Sequence, residues 1–164
     1  MNEMNKGSAA AVADNAVYDR LLSSIGSRDA RVGIVGLGYV GLPLAVTATN
    51  AGYGVIGFDI DAQRVDRVNR GETVIKHIDG ALLGGAIAKG KFEATADFAR
   101  LAEVDAILIC VPTPLTRHRE PDLSFVEATA RSVAGSLRAG QLVVLESTTY
   151  PGTTDEVLRP ILEE

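Results

Sequence analysis

Cysteine is almost absent from this sequence, since its 164 residues contain a single one, Cys110. A lone cysteine excludes an internal disulfide framework. Long apolar runs are absent too, because none reaches the roughly 18 residues that span a bilayer. The N-terminal residues lack the charged and apolar regions of a signal peptide. We therefore expect a cytoplasmic protein that has no membrane as a partner.

The sequence also has only a small excess of one sign of charge over the other. The net charge of -5 gives no reason to expect nucleic acid or an anionic membrane as a partner. Apolar residues make up 46% of the chain and charged residues 23%, which is ordinary for a globular protein. A chain of this length buries about 70% of the surface that its unfolded form exposes. The composition therefore predicts one self-standing domain.

Candidate metal ligands and nucleophiles are equally scarce. His77 lies in an irregular stretch and could be a ligand or a base, but no metal partner accompanies it, so no metal site is predicted. Cys110 belongs to the apolar run at residues 106–111. A cysteine buried in such a strand behaves as a small apolar side chain, and we expect it to be inert.

The most informative stretch is RVGIVGLGYVGLPLAVTATNAGYGVIGFDID, at residues 31–61. An apolar strand at residues 32–35 precedes three glycines spaced G-x-G-x-x-G, where a helix must begin. Gly36 permits a tight turn, Gly38 lets a pyrophosphate approach the backbone amides at the helix N-terminus, and Gly41 lets helix and strand pack closely. This order predicts a dinucleotide site, and the alternative is a glycine-rich turn in an unrelated α/β domain.

A second strand, at residues 55–58, ends in Asp59, close to the spacing expected for the acid that binds an adenosine ribose. A carboxylate there accepts both ribose hydroxyls and repels a 2′-phosphate, so we expect NAD rather than NADP. Arg64 is the one nearby residue that could reverse this preference. The alternative is that Arg64 belongs to a solvated helix surface.

Three further strands are predicted at residues 92–95, 106–111 and 142–145, with helices between them. We expect an α/β fold, a Rossmann-type doubly wound parallel sheet with strand order 3-2-1-4-5 that lacks the sixth strand. The expected division is a flexible tail at residues 1–14, an amphipathic helix ended by Gly26 and a linker at residues 15–30, and a dinucleotide-binding domain at residues 31–164. One later helix, capped by Asp122 or Ser124, is expected to continue through Leu137 and to end at Gly140.

Hydroxyl groups gather at the carboxyl ends of the fourth and fifth predicted strands. Thr113 lies between two prolines after the fourth strand, and Ser147 and Thr148 follow the fifth. Because ligands bind at this edge of a doubly wound sheet, these hydroxyls could orient a nicotinamide, a substrate alcohol or a water. Capping of a turn or of the last helix stays open as an alternative.

Five motifs, GLGYVGLPLA, GFDID, VPTPL, REPDLS and ESTTYPGTT, together resemble the NAD-binding half of nucleotide-sugar 6-dehydrogenases, the family of the UDP-glucose and GDP-mannose dehydrogenases. They cover nearly all of residues 31–154, and the last two are most similar to enzymes that act on UDP-N-acetylhexosamines. The resemblance implies NAD as cofactor, oxidation of the C6 alcohol of a UDP-sugar to a uronate, a place in polysaccharide biosynthesis and a homo-oligomeric parent enzyme.

The same resemblance implies roles for particular residues. It places the backbone of Tyr39 and Val40 against the pyrophosphate, and Thr148 beside a catalytic water or the substrate. The side chains that it implies as contacts of NAD are Asp59, Arg64, Thr113, Ser147 and Thr148.

The resemblance further implies covalent catalysis through a cysteine thioester, with that cysteine in a region that follows this stretch. We therefore expect a truncated N-terminal domain that binds NAD without turnover. One alternative is the cofactor domain of another two-domain dehydrogenase, of the 6-phosphogluconate or hydroxy-acid kind. The other is a stand-alone NAD-binding or redox-sensing module.

Overall fold

Five parallel strands form the centre of the fold in the computed structural model, which describes residues 4–72, 74–75 and 80–164. The strands are β1 (Arg31–Val35), β2 (Gly54–Phe58), β3 (Phe92–Thr95), β4 (Ala106–Ile109) and β5 (Leu142–Leu145). They pair in the order β3-β2-β1-β4-β5, and every pair is parallel. This confirms the predicted Rossmann-type strand order. The described residues add no sixth strand to this sheet, and His77 lies outside them.

Helices cover both faces of the sheet. The α-helices are α1 (Met4–Ser27), α2 (Gly41–Asn50), α3 (Ala62–Asn69), α4 (Gly80–Ala88), α5 (Ser124–Ala134) and α6 (Arg159–Leu162). A 3₁₀ helix spans Phe98–Glu103, and a π-helical turn at Thr154–Leu158 leads into α6. None of the helices in the described part of the chain is long and apolar enough to cross a membrane.

Each face of the sheet has its own apolar cluster. Ile34 of β1 packs in a cluster with α2, α3 and α4, whereas its neighbour Val35 packs in a second cluster with α5 and the 3₁₀ helix. Both side chains are at most 2% exposed. Successive strand residues point to opposite faces, so a parallel sheet covered on both sides needs continuous apolar strands.

The first helix is longer than the sequence predicted. Residues 4–14, which were expected to form a loose tail, lie in α1, and the helix passes Gly26 before it ends at Ser27. Alanine has the highest intrinsic helix propensity, and Ala9, Ala10, Ala11 and Ala13 fall in this stretch. The end of α1 is fixed by the Tyr53 hydroxyl, which donates to the Ile25 carbonyl at 2.9 Å.

Helix α5 is shorter than predicted. It ends at Ala134 with Gly135 as its C-cap, instead of continuing through Leu137 to Gly140. Glycine is a poor helix former, and the chain turns there with Ser136 N–H donating to the Val133 carbonyl at 2.9 Å. Leu137 still packs against the apolar cluster of its face, although it lies outside the helix.

A polar cluster closes the amino edge of the sheet, opposite the edge where ligands bind in this fold. The Asp105 carboxylate accepts hydrogen bonds from the Arg31 backbone N–H at 2.9 Å and from the Arg138 guanidinium at 2.7 Å. The Val104 carbonyl accepts from Arg138 at 2.8 Å and from the Gln141 amide at 2.6 Å. These bonds join the start of β1 to the start of β4 and to the turn before β5.

We expect Asp105→Ala to lower the free energy of unfolding by about 1–2 kcal/mol, because it leaves the Arg31 backbone N–H without its acceptor and removes one acceptor of the Arg138 guanidinium. Denaturant unfolding measures this loss. Asp19→Ala on the exposed surface of α1 is the control, since Asp19 forms no ion pair with any described residue. Equal unfolding energies for the two variants would contradict a stabilising role for the cluster.

Strand β5 forms the edge of the sheet among the described residues. The Leu142 and Glu146 amides donate toward β4, to the carbonyls of Asp105 and Ile109, both at 2.9 Å. Because amide direction alternates along a strand, the amides of Val143 and Leu145 face outward, away from β4. An apolar strand with unpaired amides is a site for pairing with other chains.

We therefore expect the amides of Val143 and Leu145 to exchange hydrogen faster than those of Ile34 and Ile107, which lie in the two central strands. Hydrogen exchange measured at low protein concentration tests this. Protection at Val143 that rises with concentration would indicate self-association through β5. Equal protection of all four amides in a monomer would mean that another part of the chain covers the edge.

Candidate functional site

We call residues 36–41, between β1 and α2, the glycine loop. Its shape depends on two of its glycines. Gly36 has a φ of +97°, and a Cβ there would lie 2.8 Å from the Cys110 carbonyl oxygen. A Cβ at Gly41 would overlap the carbonyl oxygen of Gly36. Both positions therefore require glycine for the fold itself, as the tight turn and close packing predicted from the sequence demand.

Gly38 differs from the other two glycines, because a Cβ built there would meet no atom within 4 Å. The fold does not need glycine at this position, so the space above it is open to a ligand. The backbone N–H groups of Gly38, Tyr39 and Val40 donate to no other group within the described ranges, and no side chain caps α2. Unpaired amides at a helix N-terminus can bind an anion such as a pyrophosphate.

The Asp59 carboxylate, which is 5% exposed, joins this loop to the end of β2. Its Oδ2 accepts from the Leu37 backbone N–H at 2.9 Å and from the Arg64 guanidinium at 3.0 Å. Its Oδ1 accepts from the Asp61 backbone N–H at 3.0 Å. A carboxylate offers about four acceptor sites, so these three hydrogen bonds leave about one acceptor site, on Oδ1, unused.

Arg64 is held in the first turn of α3 rather than free on a solvated surface. Asp61 is the N-cap of that helix, and its carboxylate accepts from the backbone N–H groups of Gln63 at 3.0 Å and Arg64 at 3.1 Å. The guanidinium pairs with Asp59 and stays 42% exposed. Arg64 therefore offsets part of the negative charge on which the predicted preference for NAD depends.

Ile60 is a residue of this site that the sequence analysis missed. It follows Asp59 and is 82% exposed, while Tyr39 and Val40 in the glycine loop are 76% and 55% exposed. Large apolar side chains left in solvent beside a polar site are able to pack against the flat ring of a ligand. The sequence feature that could have pointed to Ile60 is an isoleucine placed between two aspartates at the end of a predicted strand.

The hydroxyl groups after β4 and β5 tie the two strand ends together. The Thr113 hydroxyl donates to the Thr148 carbonyl at 2.7 Å, and the Ser147 hydroxyl donates to the Val111 carbonyl at 2.7 Å. The structure thus brings the three predicted residues together and supports the turn-fixing alternative for two of them. The Thr148 side chain is exposed, and its hydroxyl forms no hydrogen bond with a described residue.

Cys110 lies beneath this edge and is 7% exposed. Burial, and secondly the negative charge of Glu146, raises the pKa of the Cys110 thiol to about 11. The thiol therefore stays protonated at neutral pH, which supports the prediction that it is inert, because thiolates are the reactive form. In the part of the chain that the structure describes, no three His, Cys, Asp or Glu side chains are grouped to hold a metal ion.

A family match covers most of the chain. The UDP-glucose/GDP-mannose dehydrogenase family, NAD binding domain, matches residues 30–164. The matched range contains every strand and all of the site described above, and it leaves α1 outside.

Individual proteins agree with this match. The chain is 42% identical over 127 residues to the NDP-N-acetyl-D-galactosaminuronic acid dehydrogenase of Ralstonia nicotianae, covering 77% of this chain and 29% of that protein. It is 40% identical over 134 residues to the UDP-N-acetyl-D-mannosamine dehydrogenase of Escherichia coli, covering 82% and 31%. The crystal structure of NDP-N-acetyl-D-galactosaminuronic acid dehydrogenase from Methanosarcina mazei has a TM-score of 0.79 at 36% identity, covering 89% and 33%. The chain spans about three-tenths of the length of the curated relatives it matches.

Proposed function

This chain belongs to the UDP-glucose/GDP-mannose dehydrogenase family, and we propose that it forms the NAD-binding half of an enzyme that oxidises the C6 alcohol of a UDP-sugar to a uronate. The relatives named for N-acetylated sugars support a UDP-N-acetylhexosamine as the substrate. Residues 31–164 are the cofactor-binding unit in this proposal. A cytoplasmic location, a homo-oligomeric parent enzyme and a role in polysaccharide biosynthesis belong to the same proposal.

The observation that carries the proposal is the open space above Gly38, bordered by three unpaired backbone amides at the start of α2. This arrangement fits a pyrophosphate, because the amides donate to its oxygens and the helix dipole favours its charge. Asp59 lies beside the same loop at the end of β2 and accepts an adenosine ribose hydroxyl through Oδ1. Arg64 and Ile60 complete the adenosine end.

The nicotinamide end of the cofactor lies at β4 and β5 in this proposal, because the sheet order places these strands on the far side of β1 from Asp59. When bound, NAD supplies the hydride acceptor. Thr113 and Ser147 hold the two strand ends together, and the oxygens of their hydroxyls can still accept hydrogen bonds. Thr148, whose hydroxyl is free among the described residues, positions a water or the substrate alcohol.

Turnover requires a thiolate nucleophile in the mechanism that the family resemblance implies. Cys110 does not meet this requirement, because it is buried in the fold and protonated at neutral pH. We therefore propose that these 164 residues bind NAD without turning over a UDP-sugar.

The glycine loop provides a matched pair of variants. We expect Gly38→Ala to keep the free energy of unfolding within about 0.5 kcal/mol while it weakens NAD binding by about tenfold or more, because its methyl group occupies the approach of the pyrophosphate. Gly41→Ala should instead destabilise the fold, since its Cβ overlaps the Gly36 carbonyl oxygen. Calorimetric titration and denaturant unfolding measure the two effects. Unchanged NAD affinity in a folded Gly38→Ala variant would remove the loop from its proposed role.

The charges at the adenosine end predict cofactor preference. We expect NAD to bind more tightly than NADP, because a 2′-phosphate would face the Asp59 carboxylate. Arg64→Gln should widen this preference, since it removes the positive charge that offsets Asp59. Titration of both cofactors against both proteins tests this. Equal affinities in the native chain, or tighter binding of NADP, would contradict the role of Asp59.

A further inference from the structure

The end of β2 carries both kinds of residue by which this fold distinguishes the two dinucleotides. An acid at this place binds the ribose 2′-hydroxyl of NAD, whereas a nearby arginine accommodates the 2′-phosphate of NADP. Asp59 is such an acid, and Nη1 of Arg64 lies 3.0 Å from its Oδ2. Because the charges of this pair are equal and opposite, the pair alone gives only a weak electrostatic preference between a hydroxyl and a phosphate.

Asp61 adds a third charge at the same place. Its carboxylate is 49% exposed, and its Oδ2 lies 4.0 Å from Nη2 of the Arg64 guanidinium. The Asp61 backbone N–H donates to Oδ1 of Asp59 at 3.0 Å, which fixes the two residues relative to each other. The guanidinium therefore contacts two carboxylates, and the three side chains together leave one net negative charge at the end of β2.

The helix cap that Asp61 forms does not itself require this charge. Both capping hydrogen bonds, from the backbone N–H groups of Gln63 at 3.0 Å and Arg64 at 3.1 Å, go to Oδ1. Asparagine and serine cap helices about as well as aspartate does. The charge also interacts favourably with the dipole of α3, but that interaction affects the stability of the helix and not the choice between two cofactors.

We propose that Asp61 is a specificity-determining residue of the cofactor site, whose charge makes the adenosine end net negative and so selects NAD over NADP. This inference rests on the proposed function, which places the adenosine ribose at Asp59. A phosphate monoester carries about 1.5 to 2 negative charges at neutral pH. A 2′-phosphate at this place would therefore be repelled by the net charge of the three side chains.

Asp61 also competes with a 2′-phosphate for the arginine. A guanidinium binds phosphate most strongly through two parallel hydrogen bonds. In the structure one side of the Arg64 guanidinium faces Asp59 and the other faces Asp61. Arg64 would have to leave at least one carboxylate before it could bind a phosphate in this way.

The test measures the affinities of NAD and NADP by calorimetric titration. We expect Asp61→Asn to lower the preference for NAD by about tenfold, the size of one carboxylate's repulsion of a phosphate several ångströms away. The change should come from tighter binding of NADP, because asparagine keeps the cap and removes only the charge. At about 1 M salt the difference from the native chain should shrink, since salt screens exposed charges.

Asp61→Glu is the matched control, because it keeps the charge and weakens the cap. Glutamate is not among the residues that cap helices well, so this variant should unfold at a lower denaturant concentration than Asp61→Asn. Its preference for NAD should stay within about twofold of the native value. A preference that fell in Asp61→Glu and not in Asp61→Asn would follow the cap instead of the charge, and would overturn the proposal.

A double variant tests the charge argument directly. Asp61→Asn combined with Arg64→Gln removes one charge of each sign, so the net charge of the native site is restored. We expect its preference for NAD to lie within about threefold of the native value. A double variant with a preference as low as that of Asp61→Asn would overturn the charge argument.

The outcomes for the native chain separate this inference from the proposed function. NAD binding by the native chain, with an unchanged cofactor preference in Asp61→Asn, would refute the role of Asp61 and leave the proposed function standing. A native chain that binds neither cofactor would refute the proposed function, and this inference with it.

Discussion

The site depends on how the buried carboxylate of Asp59 is satisfied. A charge that is 5% exposed destabilises a fold unless donors replace its water. Here the donors come from two separate loops, the Leu37 amide of the glycine loop and the Asp61 amide and Arg64 guanidinium at the start of α3. Loss of any one of these three donors would leave the Asp59 charge less well satisfied. The two loops are therefore fixed relative to each other before any ligand arrives.

The same two loops offer two positions that differ in the charge of the group they favour. The free amides from Gly38 to Val40 favour an anion, whereas the carboxylate beside them favours a group that donates hydrogen bonds and carries no charge. A pyrophosphate suits the first position and a ribose the second. Arg64 moderates the second position, because it shares Oδ2 of Asp59 with Leu37 and stays 42% exposed. In the proposed function, the cofactor preference of the adenosine end thus depends on a balance of two opposite charges.

Local patterns predicted most of the fold and one side of the site. Strand order and the roles of Gly36 and Gly41 followed from short apolar runs and glycine spacing. Contacts between distant residues could not be predicted in this way, because no local pattern encodes them: the Leu37 amide meets Asp59 only after β1 and β2 pair. The end of α5 at Gly135 was missed for a different reason. The apolar pattern continues past this glycine to Leu137, so it predicts a longer helix than the structure shows.

The hydroxyl groups after β4 and β5 are of two kinds, which differ in whether the hydroxyl donates to a backbone carbonyl. The hydroxyls of Thr113 and Ser147 donate hydrogen bonds to the carbonyls of Thr148 and Val111. These bonds hold two neighbouring strand ends together. A group whose proton is committed to the backbone is a poor proton donor to a substrate, although its oxygen can accept. Thr148 has its carbonyl fixed by Thr113 while its own hydroxyl is uncommitted among the described residues. This bond therefore holds in place the backbone of the one residue of the three whose hydroxyl is free to donate among the described residues.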